Sequence, residues 1–134
     1  MIRLGSPVDY PKLDGVHPLV RQHIINHING LLSEYGGCDL SEVGTVIFIS
    51  TESELSDFKG MGLSRPLEEM QNEFAEILIL KSSANEIRLI HTVFIISDSW
   101  RIDLYIPENL CPDTLREHLY KEFTGEKLIE LEEC

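Results

Sequence analysis

The segment EIRLIHTVFIIS, residues 86–97, constrains the fold most, because both of its alternating faces are apolar. Ile87, Leu89, Val93 and Ile95 fall on one side, and Ile90, Phe94 and Ile96 on the other. Successive side chains of a strand point to opposite faces. A strand of this composition therefore belongs inside a sheet, covered on both sides at least in part. Its neighbours EILILKS (76–82) and WRIDLYIP (100–107) are separated from it by Ser83-Ala84-Asn85 and by Asp98-Ser99. Breaks that short predict hairpins and an antiparallel meander. In the last strand Trp100, Ile102, Leu104 and Ile106 alternate with Arg101, Asp103 and Tyr105, the pattern of one buried and one wet face. Registers with Phe94 or Val93 opposite Asp103 both keep an apolar face together, so the sequence does not choose between them.

A central strand of this kind needs helices to cover it. In PLVRQHIINHINGLLSEY (18–35), Val20, Ile24, Ile28 and Leu31 form one stripe, Pro18 suits a first helical position, and Gly36-Gly37 supplies a stop. GTVIFIS (44–50) reads as a strand buried on both faces. Residues 51–65 turn polar and glycine-bearing and read as a mobile loop; RPLEEMQNEF (65–74) has the spacing of a short helix. Thr114 with Glu117 suggests a capping box, ahead of a helix that carries Leu115, Leu119 and Phe123 on one face. Residues 1–15 read as an extended segment, and the tail KLIELEE fits either an edge strand or further helix. The expectation is one α+β domain over residues 1–134, in the order α-β-(loop, short α)-β-β-β-α. Its mostly antiparallel sheet has four or five strands, covered by two longer helices.

Composition narrows the function. The chain has 134 residues, of which 43% are hydrophobic and 25% charged, ordinary values for a globular protein. Pro7, Pro11 and scattered charges interrupt the start of the chain where a secretory signal needs a continuous apolar run, and no stretch has the length of a membrane span. Three cysteines without a C-x-x-C spacing suggest neither a disulfide framework nor a zinc knuckle, so a cytoplasmic location is expected. The formal net charge is −12; residues 1–35 are balanced, and the whole acidic excess lies beyond them. That sign opposes direct binding to nucleic acid or to an anionic membrane. The acids gather in TESELSD (51–57), LEEMQNEFAE (67–76) and EKLIELEE (126–133).

No catalytic signature accompanies them. His23 and His27 stand four apart, a spacing that can bring two imidazoles to one metal, but no H-E-x-x-H pattern supplies a third ligand. They are read as a polar border between helix and sheet, and neither a metal nor a cofactor is expected. His91 reads as a hydrogen-bonded core or rim histidine, and Cys111, close to a helix start, as a structural thiol. The leading expectation is a non-enzymatic binding domain whose acidic face holds, and neutralises, a basic partner, as an inhibitor or immunity protein does with a toxin or nuclease. Its contact set is Glu52, Glu54, Asp57, Glu68, Glu69 and Glu73, with Arg101, Asp103 and Tyr105 on the mixed sheet face. The competing reading of that face has a helix packed over it and Arg101 paired with Asp103. Two other functions compete: a small-ligand module or modest enzyme with a pocket near His91 and Cys111, and a homodimeric subunit.

Overall fold

The computed structural model describes residues 2–35, 37–40, 42–59, 71–96, 100–111 and 113–131, without the side chains of 56–59, 71, 72, 96 and 114. Six strands form one mixed sheet: β1 (Ile2–Leu4), β2 (Gly44–Phe48), β3 (Gln71–Lys81), β4 (Glu86–Ile96), β5 (Trp100–Pro107) and β6 (Phe123–Glu130). Their spatial order is β1-β2-β5-β4-β3-β6. The expected meander β3-β4-β5 is present and antiparallel, with β4 at its centre. The sheet is nevertheless larger and less antiparallel than expected. Strand β2 joins β5 in parallel, β6 joins β3 in parallel, and β1 closes the other edge against β2.

The β4–β5 register pairs Ile96 with Trp100 and Val93 with Asp103. That is the alternative with three residues between the strands, which also keeps Phe94 and Ile102 together on one face.

Helix α1 (Pro18–Tyr35) forms where the apolar stripe predicts it, burying Leu19, Val20, Ile24, Ile28 and Leu31. These side chains pack with Val46, Phe48, Leu78, Leu80, Leu89 and Tyr105 on one face of the sheet. The other face carries Ile47, Ala75, Ile77, Ile90, Phe94, Ile102, Leu104 and Ile106, which pack with Leu115 and Leu119 of α3 (Asp113–Tyr120) and Leu55 of α2 (Glu52–Lys59). The central strands are thus enclosed on both sides, as the two-faced apolar pattern of β4 requires.

Local expectations fail in four places. The segment read as a loop at 51–65 contains α2 in its described part, started by a capping arrangement in which the Glu54 amide donates to the Thr51 hydroxyl. The helix expected at 65–74 is not formed over 71–74, which open β3; the rest of that stretch lies outside the described residues. The N-terminal segment is not simply extended, because after β1 it winds into a 3-10 helix over Pro7–Leu13. Finally, α3 begins at Asp113, placing Thr114 inside its first turn, and stops at Tyr120. It is no longer than α2, and Phe123 belongs to β6. Among the described residues no helix is long and apolar enough to cross a membrane.

Candidate functional site

Glu76, His91, Arg101, Asp103 and Tyr105 of the sheet meet His23 and His27 of α1. The ladder sets Glu76 of β3 beside His91 of β4, and His91 beside Tyr105 of β5, in one row across the sheet. Asp103 lies two residues from Tyr105 on the same face, because side chains of a strand repeat with period two. From above, α1 contributes His23 and His27, whose spacing of four places both on one side of the helix. Tyr105 stacks on His91 with ring centroids 4.3 Å apart, and His27 meets both rings edge-on at 5.2 and 5.9 Å. His23 meets Tyr105 edge-on at 5.5 Å.

Asp103 is the hub. Arg101 donates from Nε to Oδ1 at 2.6 Å and from Nη2 to Oδ2 at 2.7 Å. The Nε2 atoms of His27 and His91 lie 2.7 and 3.0 Å from the same Oδ2. On the far side of His91, Nδ1 is 3.6 Å from Glu76 Oε1. The carboxylate of Asp103 is 1% exposed. Burial alone would raise its pKa, but hydrogen bonds from His27, His91 and Arg101 outweigh that and hold it far below the usual carboxylate range. Burial disfavours the His91 cation; the bonds to Asp103 and Glu76 overcome this and raise its pKa. His23 lacks such support, and burial, reinforced by repulsion from His91 and His27, lowers its pKa to about 4. The Tyr105 hydroxyl, enclosed and near Asp103 and Glu76, is pushed well above 10. At neutral pH the cluster therefore holds a charged Asp103 paired with Arg101 and a neutral His23, with the cationic form of His91 favoured relative to a free imidazole.

Two polar atoms in this cluster, His23 Nε2 and the Tyr105 hydroxyl, have no hydrogen-bond partner among the described residues. Arg101 and Asp103 line a cavity of about 10 Å³, no more than a single water occupies. It offers no space for a substrate.

Among the described residues, the members of the expected contact set are divided. Arg101, Asp103 and Tyr105 face α1 rather than solvent, so the mixed sheet face is an interior surface: Arg101 is spent on Asp103, and Tyr105 is fully buried. Glu54 is turned into its own helix start, where its carboxylate accepts from the Ser50 amide and hydroxyl. Glu52 and Glu73 are exposed, but Glu52 follows β2 while Glu73 lies on β3, three strands away. Asp57 lies on α2 with its side chain outside the described residues, as do Glu68 and Glu69 entirely. The alternative pair is also divided. His91 faces α1, whereas Cys111 packs in the core on the opposite face of the sheet, where burial raises its thiol pKa. No pocket can be shared by the two through the sheet.

The acidic tail adopts the first of its two expected forms, an edge strand, and presents a more distinct surface. Strand β6 is the sheet edge beyond β3. Glu126, Leu128 and Glu130 project from one face of it, opposite Ile77, Ile79 and Lys81 of β3. Leu128 is 56% exposed, and Tyr120 and Phe123, with ring centroids 4.9 Å apart, add exposed aromatic surface where α3 runs into the strand. Glu117 and Glu122 are exposed in the same stretch of chain.

Comparison of the chain with protein families, with curated proteins and with solved structures finds no match in any of the three.

Proposed function

We propose that the protein is a non-enzymatic, cytoplasmic binding domain that captures a basic protein partner along the β6 edge. The observation that carries this reading is the exposed Leu128 between Glu126 and Glu130 on an edge strand, in a chain of net charge −12. An edge strand offers unpaired backbone donors and acceptors to an incoming segment. Leu128, Phe123 and Tyr120 supply apolar area, and the carboxylates around them favour a cationic partner over an acidic one. The acidic excess of the rest of the chain, Glu52 and Glu73 included, acts at longer range by accelerating encounter. Among the described residues, the cavity lined by Arg101 and Asp103 measures only about 10 Å³, which favours this reading over catalysis there. Neutralisation of a cationic toxin or nuclease is its most concrete form, since carboxylates can stand where such an enzyme expects phosphates.

The test is capture from native extract on the immobilised protein, with and without Leu128→Ser and Glu130→Lys together. A basic protein retained by the wild-type chain and lost by the variant supports the reading. Equal retention by both removes the β6 edge from it. Sedimentation of the purified chain separates the remaining occupant: a concentration-dependent dimer abolished by the same variant assigns the edge to a second copy instead.

A further inference from the structure

We propose that His27, His91 and Asp103 form a binding site for one divalent first-row transition ion, of which Zn²⁺ is the representative. One ligand atom from each of the three residues lies within 4.8 Å of the other two, and both Nε2 atoms lie within 3.0 Å of Oδ2. Zinc binds imidazole nitrogen and carboxylate oxygen at about 2.0–2.2 Å, so two donors on one tetrahedral ion stand roughly 3.4 Å apart. The observed separations of 2.7 and 3.0 Å would have to open by roughly 0.7 and 0.4 Å to reach that spacing. Two imidazoles with one carboxylate suit zinc or ferrous iron and do not suit magnesium or calcium, which favour all-oxygen sites.

The surroundings have the form that metal ligands require. A ligating histidine usually donates its other ring nitrogen to a carboxylate, and Glu76 stands 3.6 Å from His91 Nδ1. Arg101 holds Oδ1 of Asp103 through Nε and so orients Oδ2 toward the two imidazoles. Without an ion, Oδ2 gathers three close nitrogen neighbours, His27 Nε2, His91 Nε2 and Arg101 Nη2, while Oδ1 has Arg101 Nε alone. A carboxylate oxygen has about two lone-pair directions, so this crowding is relieved when an ion takes the place between the imidazoles and Oδ2. The ligands come from α1, β4 and β5, three elements fixed by the core beneath α1, which preorganises the site. His27, 23% exposed, gives solvent access. An ion there pins α1 to the sheet. The inference uses none of the β6 residues and stands or falls apart from the proposed partner.

The experiment titrates Zn²⁺ into chelator-stripped protein, followed by calorimetry and by thermal unfolding. One ion per chain and a rise in Tm with free Zn²⁺ are expected. His27→Gln should weaken binding about 100-fold or more, while His118→Gln, on α3 across the sheet, leaves it unchanged. A second measurement needs no variant: the ring-nitrogen resonances of His27 and His91 should move together on adding one equivalent of Zn²⁺. No uptake at about 100 μM Zn²⁺, where affinity is already only about 5 kcal/mol, overturns the site. So does undiminished affinity in His27→Gln, or resonance shifts confined to other histidines.

Discussion

Asp103 is the residue whose loss the protein tolerates least. It is a buried charge held by a guanidinium and two imidazoles, and removing one side of such an arrangement leaves the others buried without compensation. Asp103→Asn, which keeps the shape and deletes the charge, is expected to cost about 3–5 kcal/mol in urea unfolding; a loss under about 1 kcal/mol would contradict the hub role. The same cluster sets a pH dependence in ion-free protein. His23 has a folded pKa of about 4 against an ordinary 6.5, so between those values the unfolded chain binds more protons and stability rises with pH. His91 has a raised folded pKa, so its contribution is complete below about 6.5 and is lost as pH climbs through the folded value. The His23 contribution thus grows up to about pH 6.5, and the His91 contribution is lost only above it. Asp103 adds a further loss as pH drops below its ordinary 3.8. Around His23 stand His27 on its own helix, His91 and Glu76 on the sheet, and Lys127 on β6. His23→Leu should flatten the rise between about pH 4.5 and 6.5, a slope of at most about 1.4 kcal/mol per pH unit; an unchanged slope would assign it to other groups.

The elements show what holds this arrangement in place. Strand β2 enters beside β5 at Gly44, where a Cβ would collide with the carbonyl oxygen of Arg101, and where the positive φ of 157° also disfavours a side chain. Gly44→Ala should therefore cost at least about 2 kcal/mol by chemical unfolding and loosen the Arg101 end of β5, whereas Gly30→Ala in α1, with open space around it, should be neutral or stabilising. Equal effects at the two glycines would refute this. The stripe of α1 and the two-faced β4 were legible in the chain because periodicity is local. Helix α2 was hidden by its polar composition, although Thr51-Glu52-Ser53-Glu54 has the spacing of a capping box and could have exposed it. Strand β1, three residues long, is too short to carry a period. The parallel pairing of β6 with β3 joins residues such as Ala75 and Phe123, far apart in the chain, and no local pattern encodes such a partner. For the site, the four-residue step from His23 to His27 and the pairing of Arg101 with Asp103 were readable. Their convergence was not, because it depends on which sheet face α1 covers. The reading with a helix over the Arg101, Asp103 and Tyr105 face is the one the structure shows; which helix covers it is not encoded locally, since His27 lies 76 residues from Asp103.

At the scale of the molecule, burial and charge are segregated. His23, His27, His91 and Asp103 lie between α1 and the sheet, with His27 reaching solvent, while Glu126 and Glu130 flank the exposed Leu128 at the β6 edge. If this edge binds a basic partner, the decisive measurement is the dissociation constant of the captured protein for the wild-type chain and for the Leu128→Ser, Glu130→Lys variant, from about 50 to about 200 mM salt. The expected partner is of opposite charge, and its wild-type affinity falls about tenfold or more across that range, with the variant weaker at every concentration. An affinity that ignores salt, or one that the variant leaves unchanged, would contradict it.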